Sequence, residues 1–159
     1  MRLVEQPDSP YKELPDFLSV KNRDVKVHDY LRSIILSDAE NYTNANEFLY
    51  RNSFMLKPLR HNPSAFTDEG NLVKQMRGLE EVNEQNWTKK IIADKIWEVI
   101  RAQGDEKHQS KKVFHYLRKA LTGKEEGMRM YDIMEILGRE ECLNRLGAGQ
   151  RKGVLGSLF

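Results

Sequence analysis

The sequence predicts an all-α fold, a multi-helix bundle of two small helical lobes, and three observations carry that prediction. Apolar residues recur at three- and four-residue spacing in successive segments, and Ser, Asp or Asn residues stand ahead of several of those segments while glycines close them. No segment shows the period-two, β-branched alternation of a strand. With 39% apolar and 31% charged residues among 159, the chain is polar but supplies enough hydrophobes for a core.

Residues 1–24 hold three of the five prolines, at 7, 10 and 15, without a sustained period, and read as an irregular lead-in. A first helical subdomain is expected over residues 25–104. It opens with Val27, Tyr30, Leu31, Ile34 and Ile35 at helical spacing, and Ser37-Asp38-Ala39-Glu40 reads as a capping box that starts a second segment. Tyr42, Ala45, Phe48 and Leu49 continue the stripe there. Residues 53–65, with Pro58 and Pro63, read as a loop that turns Phe54, Met55 and Leu56 inward, and a further helix is expected from about Thr67 to Val82. The next helix has Asn86 as its expected cap, Trp87, Ile92, Ile96, Val99 and Ile100 along one side, and Gly104 after its end.

The polar stretch Gln103–Gln109 marks the expected boundary, and residues 105–159 form the expected C-terminal helical subdomain. Ser110 reads as the cap of a helix carrying Val113, Phe114, Leu117, Ala120 and Leu121, stopped by Gly123. Met130, Ile133, Met134 and Leu137 stand at i, i+3, i+4 and i+7 of the next helix, closed by Gly138. Glu140 and Glu141 suit the first turn of a last helix with Cys142, Leu143 and Leu146.

Composition removes several function classes. No apolar run approaches the roughly 18 to 20 residues that cross a bilayer, and residues 1–30 lack the apolar core of a secretion signal, so no membrane role is expected. A single cysteine, Cys142, points to a reducing compartment. The net charge of +2 hides an asymmetry: residues 1–106 carry 15 Lys+Arg against 18 Asp+Glu, whereas residues 107–159 carry 11 against 6. The C-terminal third is therefore the expected surface for an anionic partner.

Most candidate chemistry has a plainer reading. Cys142 shares a stripe with Leu146 and reads as a small core residue rather than a nucleophile. His28, His61, His108 and His115 never share an i, i+4 face, so no metal site is expected. Glu125-Glu126 and Glu140-Glu141 are sequence neighbours that point apart on a helix, and both pairs read as solvated acids. Gly147–Gly153 has glycines but no preceding strand, and reads as a flexible basic tail rather than a phosphate loop. Trp87 and Trp97 lie in an apolar helical pattern and read as core. The segment Lys111, Lys112, Phe114, His115, Tyr116, Arg118, Lys119 differs, because cations interleave with aromatics. Lysines and Arg129 would hold phosphates, His115 or Tyr116 would stack on unpaired bases, and the arginine fork of Arg118 matches a base edge; the plain alternative is an ordinary basic helix face.

Leu117-Arg118-Lys119-Ala120-Leu121-Thr122-Gly123, then Gly127, then Ile136-Leu137-Gly138-Arg139-Glu140 and Asn144-Arg145-Leu146 resemble the C-terminal end of bacterial-type glutamyl-tRNA synthetases. In that family an L-R-x-A-L-T-G run precedes a short Gly/Pro turn, a helix ending in L-G-[KR]-E, and a closing R-[LI]. Trp87 and its helix stand where the family places them, and Tyr30 to Pro58 is similar, more weakly, to the segment joining the synthetase core to its anticodon-binding part. Phe48-Leu49-Tyr50 and Lys57-Pro58 resemble organellar members more than bacterial ones.

The resemblance implies an anticodon-binding helical cage whose partner is a tRNA for glutamate, with no DNA and no membrane partner and a monomeric state. It implies that Arg118 contacts anticodon bases and that Gly127, Met128 and Met130 fit the anticodon nucleotides, with Lys111, Lys112, His115, Tyr116, Lys119 and Arg129 as weaker backbone or stacking contacts. An arginine that instead ties helix to turn through backbone carbonyls is the alternative for Arg118. The family usually has a proline near Met128, absent here. Neither H-I-G-H nor K-M-S-K-S occurs, so adenylate formation is not expected of this chain, and no cofactor is expected in it; ATP and Mg belong with a catalytic domain of Rossmann type. The mitochondrial matrix is the expected compartment, with bacterial cytoplasm as the alternative. A helical protein-interaction module would show the same stripes without needing the L-R-x-A-L-T-G run, and a stand-alone enzyme would need a convergent acid, base or nucleophile set that the sequence lacks.

Overall fold

In the computed structural model, which describes residues 27–57, 59 and 70–147, the chain divides into two units, residues 1–59 and 60–159. Every regular element among the described residues is helical. The lead-in at 1–24, His61 and the tail from residue 148 lie outside the described residues.

In the first unit, α1 (Val27–Asp38) buries Tyr30 and Ile34, and α2 (Ala45–Asn52) buries Phe48. A 3-10 turn at Ser53–Met55 follows, and Phe54, Met55 and Leu56 face inward as the sequence predicts. The Tyr30 hydroxyl donates to the Met55 carbonyl at 2.7 Å, closing the turn onto α1. The expected capping box at Ser37–Glu40 is corrected: Ser37 and Asp38 end α1, and α2 is capped seven residues beyond Ser37 by Asn44, whose side chain accepts from the Glu47 amide. Glu47 reaches back to the Thr43 amide and hydroxyl at 2.8 and 2.9 Å, a reciprocal arrangement of the same kind at a different place.

Asp38 cannot cap because it is otherwise engaged. Its side chain is wholly buried and accepts a bidentate pair from Arg51, both at 2.9 Å, with further bonds from Asn52 at 2.9 Å and Asn41 at 3.0 Å. Burial by itself pushes the carboxyl up, but these hydrogen bonds outweigh it and hold Asp38 below the usual carboxylate range. A depressed pKa contributes stability that is present above the unfolded value and is lost as pH falls through the folded one. Asp38→Ala is therefore expected to destabilise this unit by about 1.5 to 3 kcal/mol, because Arg51 is part-exposed and regains water while charge-assisted bonds are lost. Hydrogen exchange at the Ile34 and Phe48 amides checks it: protection should drop at neutral pH, and the difference from wild type should shrink below about pH 4.

In the second unit, α3 (Gly70–Gln75) runs into a 3-10 stretch at Met76–Glu81, where a single α-helix is expected from sequence. Its expected start at Thr67 lies outside the described residues. A short 3-10 turn at Glu84–Asn86, capped by Asn83, leads to α4 (Lys89–Ala102). Asn86 is thus inside that turn, and Thr88 caps α4 instead. The indole of Trp87 explains the offset: it is buried, donates to the Met134 carbonyl at 2.8 Å, and so holds its own backbone outside the helix.

Ile92, Ile96 and Ile100 form a fully buried ridge on α4. This ridge meets α5 (Glu106–Thr122) and α6 (Met130–Leu137), which bury Val113, Leu117 and Leu121 and Ile133, Met134 and Leu137 respectively. A chain of edge-on rings, Trp97 to Phe114 at 6.2 Å and Phe114 to Tyr131 at 5.9 Å, links the same three helices. The short α7 (Arg139–Arg145) packs on α5 and α6 with Cys142 and Leu143 inward, and Cys142 is a core residue as expected.

Three sequence expectations are revised in this unit. Asp105, not Ser110, caps α5, since its side chain accepts from the His108 amide, while Ser110 sits inside the helix and donates to the Lys107 carbonyl. Gln103–Gln109 is then mostly the first turn of α5, so the expected lobe boundary becomes a tight connection within one unit. Glu141 is buried beside Arg145 rather than solvated, whereas Glu125, Glu126 and Glu140 are exposed.

Candidate nucleic-acid interface

The end of α5 and the turn after it form the most specific corner of the chain. Gly123 stops α5 in the left-handed region, at φ +66°, with its amide on the Lys119 carbonyl at 3.0 Å, a geometry that glycine adopts without strain. The Thr122 hydroxyl accepts from the Lys124 amide at 2.9 Å and lies 2.7 Å from the Arg118 carbonyl, which fixes how the chain leaves the helix. The turn then returns beneath Arg118, whose Nη2 donates to the Met128 carbonyl at 3.1 Å.

Gly127, at φ +148°, completes the corner. A side chain there would begin 3.6 Å from Arg118 Nη1, in a conformation that L-residues rarely adopt. Arg118 is thus held against bare backbone. Its Nη1 is buried without an acceptor, and burial pushes the guanidinium pKa down from a starting point high enough to leave it charged. The part-exposed guanidinium is charged and donates from Nη2 to one carbonyl, a donor group whose chemistry matches a phosphate oxygen or a base edge.

The structure sorts the sequence candidates into two groups. Arg118, Gly127 and Arg129 are at this corner, with Gly127 and Arg129 exposed and Arg118 part-exposed. Lys111, Lys112 and His115 are exposed along α5, and Lys119 is part-exposed. Met128 and Met130 are instead core residues, 2% and 7% exposed, which leaves little side-chain surface for a nucleotide. The Tyr116 ring is likewise buried and its hydroxyl lies 3.2 Å from the Leu146 carbonyl, whereas His115 and His108 are exposed rings on this helix. Tyr116 and Met130 lie on the buried sides of α5 and α6, and Met128 is tucked inward from the turn between them.

Two positions escape the sequence reading. A helix starting at Ser110 leaves Lys107 and His108 in a loop; the observed start at Glu106 puts both on the exposed side of α5. The signal was Asp105 followed by helix-compatible residues, obscured because the first turn of α5 contains no apolar residue to show a period.

Among the described residues no three His, Cys, Asp or Glu side chains come together as metal ligands, and no helix is long and apolar enough to cross a membrane. The large hydrophobics exposed among them, Ile35, Leu36 and Tyr50, are on α1 and α2, not on the last helices where an interaction module would need them.

Comparison with known proteins adds to this geometry. A family model described as an anticodon binding domain matches residues 11–150. The chain is 35% identical over 72 residues to glutamate–tRNA ligase 1 of Wolbachia pipientis wMel, across 44% of this chain and 14% of that protein. It is 31% identical over 75 residues to glutamate–tRNA ligase 2 of Anaplasma marginale (strain St. Maries), across 47% of this chain and 16% of that protein. These matches thus span only about one sixth or less of the relatives' length. A crystal structure of a glutamate tRNA ligase from Elizabethkingia meningosepticum CCUG26117 superposes with a TM-score of 0.60 at 22% identity, covering 87% of this chain and 28% of that one, a likeness of fold. On the extent of the family match, the chain belongs to the anticodon binding domain family.

Proposed function

We propose that this chain recognises the anticodon of a glutamate-accepting tRNA as the C-terminal part of a glutamate–tRNA ligase. The observation that carries the reading is the Arg118 corner: a charged planar fork held on the bare backbone of Gly127, with Nη1 lacking an acceptor. Arg118 addresses a base edge, Arg129 holds a neighbouring phosphate, and His115 offers a stacking face. Met128 and Met130 act through the core beneath the turn rather than by touching RNA. The part works as a monomer and holds no cofactor itself; ATP and Mg serve the catalytic domain. We assign it to the mitochondrial matrix, with bacterial cytoplasm as the alternative, and the buried thiol of Cys142 suits either reducing compartment.

Binding of the whole chain to a tRNA with a glutamate anticodon, against the same tRNA with altered anticodon bases, tests the reading. The matched tRNA should bind better by about 1 to 3 kcal/mol per bidentate contact, and Arg118→Ala should abolish that preference while the fold persists. Equal binding of matched and altered tRNA by the wild-type chain would overturn it.

A further inference from the structure

The segment 124–128 leaves α5 and returns beneath it, tied to the helix near both ends by side chains one helical turn apart: Thr122 holds Lys124, and Arg118 holds Met128. Between those ties the chain has little to fix its shape, since Glu125, Glu126, Gly127 and Met128 take part in no backbone–backbone hydrogen bond among the described residues. Thr122 is 3% exposed, and its hydroxyl has a single proton to give. The shorter contact, 2.7 Å to the Arg118 carbonyl against 3.1 Å to the Lys124 carbonyl, assigns that proton to Arg118, while the same oxygen accepts from the Lys124 amide at 2.9 Å. A hydroxyl that bonds back four residues is ordinary in a helix. Accepting from Lys124 as well makes this one a joint between helix and turn, with Gly123, at φ +66°, as the pivot. The direction in which the Met128 carbonyl arrives at Nη2 therefore depends on the angle at which Lys124 departs.

We propose that Thr122 is a positioning residue for base recognition: its hydroxyl sets the departure of the turn, and so keeps the Met128 carbonyl and the bare backbone of Gly127 against the Arg118 guanidinium. The inference rests on the anticodon reading above and adds to it a buried side chain that acts through Arg118 without touching a nucleotide. Thr122→Val keeps the shape of the side chain and removes the joint, leaving the Lys124 amide without this acceptor. Thr122→Ala removes the same hydroxyl and introduces no new methyl, and Thr122→Ser retains the hydroxyl.

The test compares these three variants and Arg118→Ala with wild type, each as the full chain, for binding at one salt concentration to a tRNA with a glutamate anticodon and to the same tRNA with altered anticodon bases. Nuclear magnetic resonance of the Arg118 guanidinium supplies a second readout, because its Nη protons, one set buried and one bonded to Met128, should exchange slowly with water in wild type. Thr122→Val and Thr122→Ala should lower the wild-type preference, about 5- to 150-fold for one bidentate contact, toward that of Arg118→Ala, and leave binding of the altered tRNA unchanged. Both should speed Arg118 exchange, and Thr122→Ser should restore preference and slow exchange together. Each loss of the hydroxyl should lower Tm by about 4 to 8 °C, so binding measured in the cold reads folded protein. A wild-type preference in the valine and alanine variants would overturn the inference. So would an equal weakening of both tRNAs with Arg118 exchange still slow, which would make Thr122 a structural residue only. A wild-type chain without anticodon preference would sink the anticodon reading, whereas fast Arg118 exchange in the valine and alanine variants, slow again in serine, would still support positioning by Thr122.

Discussion

Arg145→Met is expected to destabilise the second unit by about 3 to 5 kcal/mol, a shift of more than about 10 °C in Tm for a domain of this size. Arg145 and Glu141 are an i, i+4 pair with side chains 1% and 7% exposed, joined from Nε to Oε1 at 2.8 Å. Arg145 Nη1 also donates to the Leu121 carbonyl at 2.7 Å, supplying a partner for the last turn of α5 that the helix itself cannot provide. Removing the arginine alone takes the 2.8 Å ion pair from the buried Glu141 carboxylate, and that desolvation cost sets the size of the effect. Glu141→Leu combined with Arg145→Met should recover most of the loss, because neither charge is then buried, although the Leu121 carbonyl still lacks this donor. Thermal melts of the two variants decide the matter: a double variant no more stable than the single one would mean that the pair itself contributes net stability. Since Leu121 is three residues from Arg118, the single variant should weaken tRNA discrimination as well.

Trp87→Ala is expected to cost about 3 to 5 kcal/mol in chemical denaturation, with Trp97 left as the fluorescent reporter. The effect is mainly one of packing. The Met134 carbonyl that accepts from the indole at 2.8 Å also accepts from the Gly138 amide at 2.9 Å, so it keeps a partner when the indole goes. Trp87→Phe, which keeps much of the ring volume while losing the donor, should therefore cost on the order of 1 kcal/mol. A phenylalanine variant as unstable as the alanine one would show that the hydrogen bond, not the filled volume, holds α4 to α6.

Much of this molecule was legible before any coordinates. The apolar stripes of α4, α5 and α6 predict the buried residues Ile92, Ile96, Ile100, Val113, Leu117, Leu121, Ile133 and Met134. Gly123 and Gly138 end α5 and α6 where predicted, because a glycine just past an apolar period has few other uses. Helix starts were harder. Ser37, Asn86 and Ser110 are competent caps by type, yet Asn44, Thr88 and Asp105 cap the helices, since a cap is chosen by which side chain is left unengaged and which backbone lies outside the helix. The error at α5 hid Lys107 and His108 and with them the full extent of the basic face.

For the candidate site, the family resemblance picked out Arg118 and Gly127 for one function, and the chain brings them together with Gly127 against Nη1. Sequence could not separate Tyr116 from His115, because neighbouring positions differ by 100° around a helix and only packed neighbours decide which side is sealed, nor Met128 from Arg129, because a turn has no period to show which side chain is inward. Local order, the all-α class, the apolar faces and the family resemblance are properties of period and residue type, and the sequence by itself determined them. Which acid is buried, which residue caps, where the chain divides into units and which cations remain unpaired depend on contacts between residues far apart along the chain. Only the tertiary structure decided those, because the free energy of a side chain depends on the neighbours that exclude or replace its water.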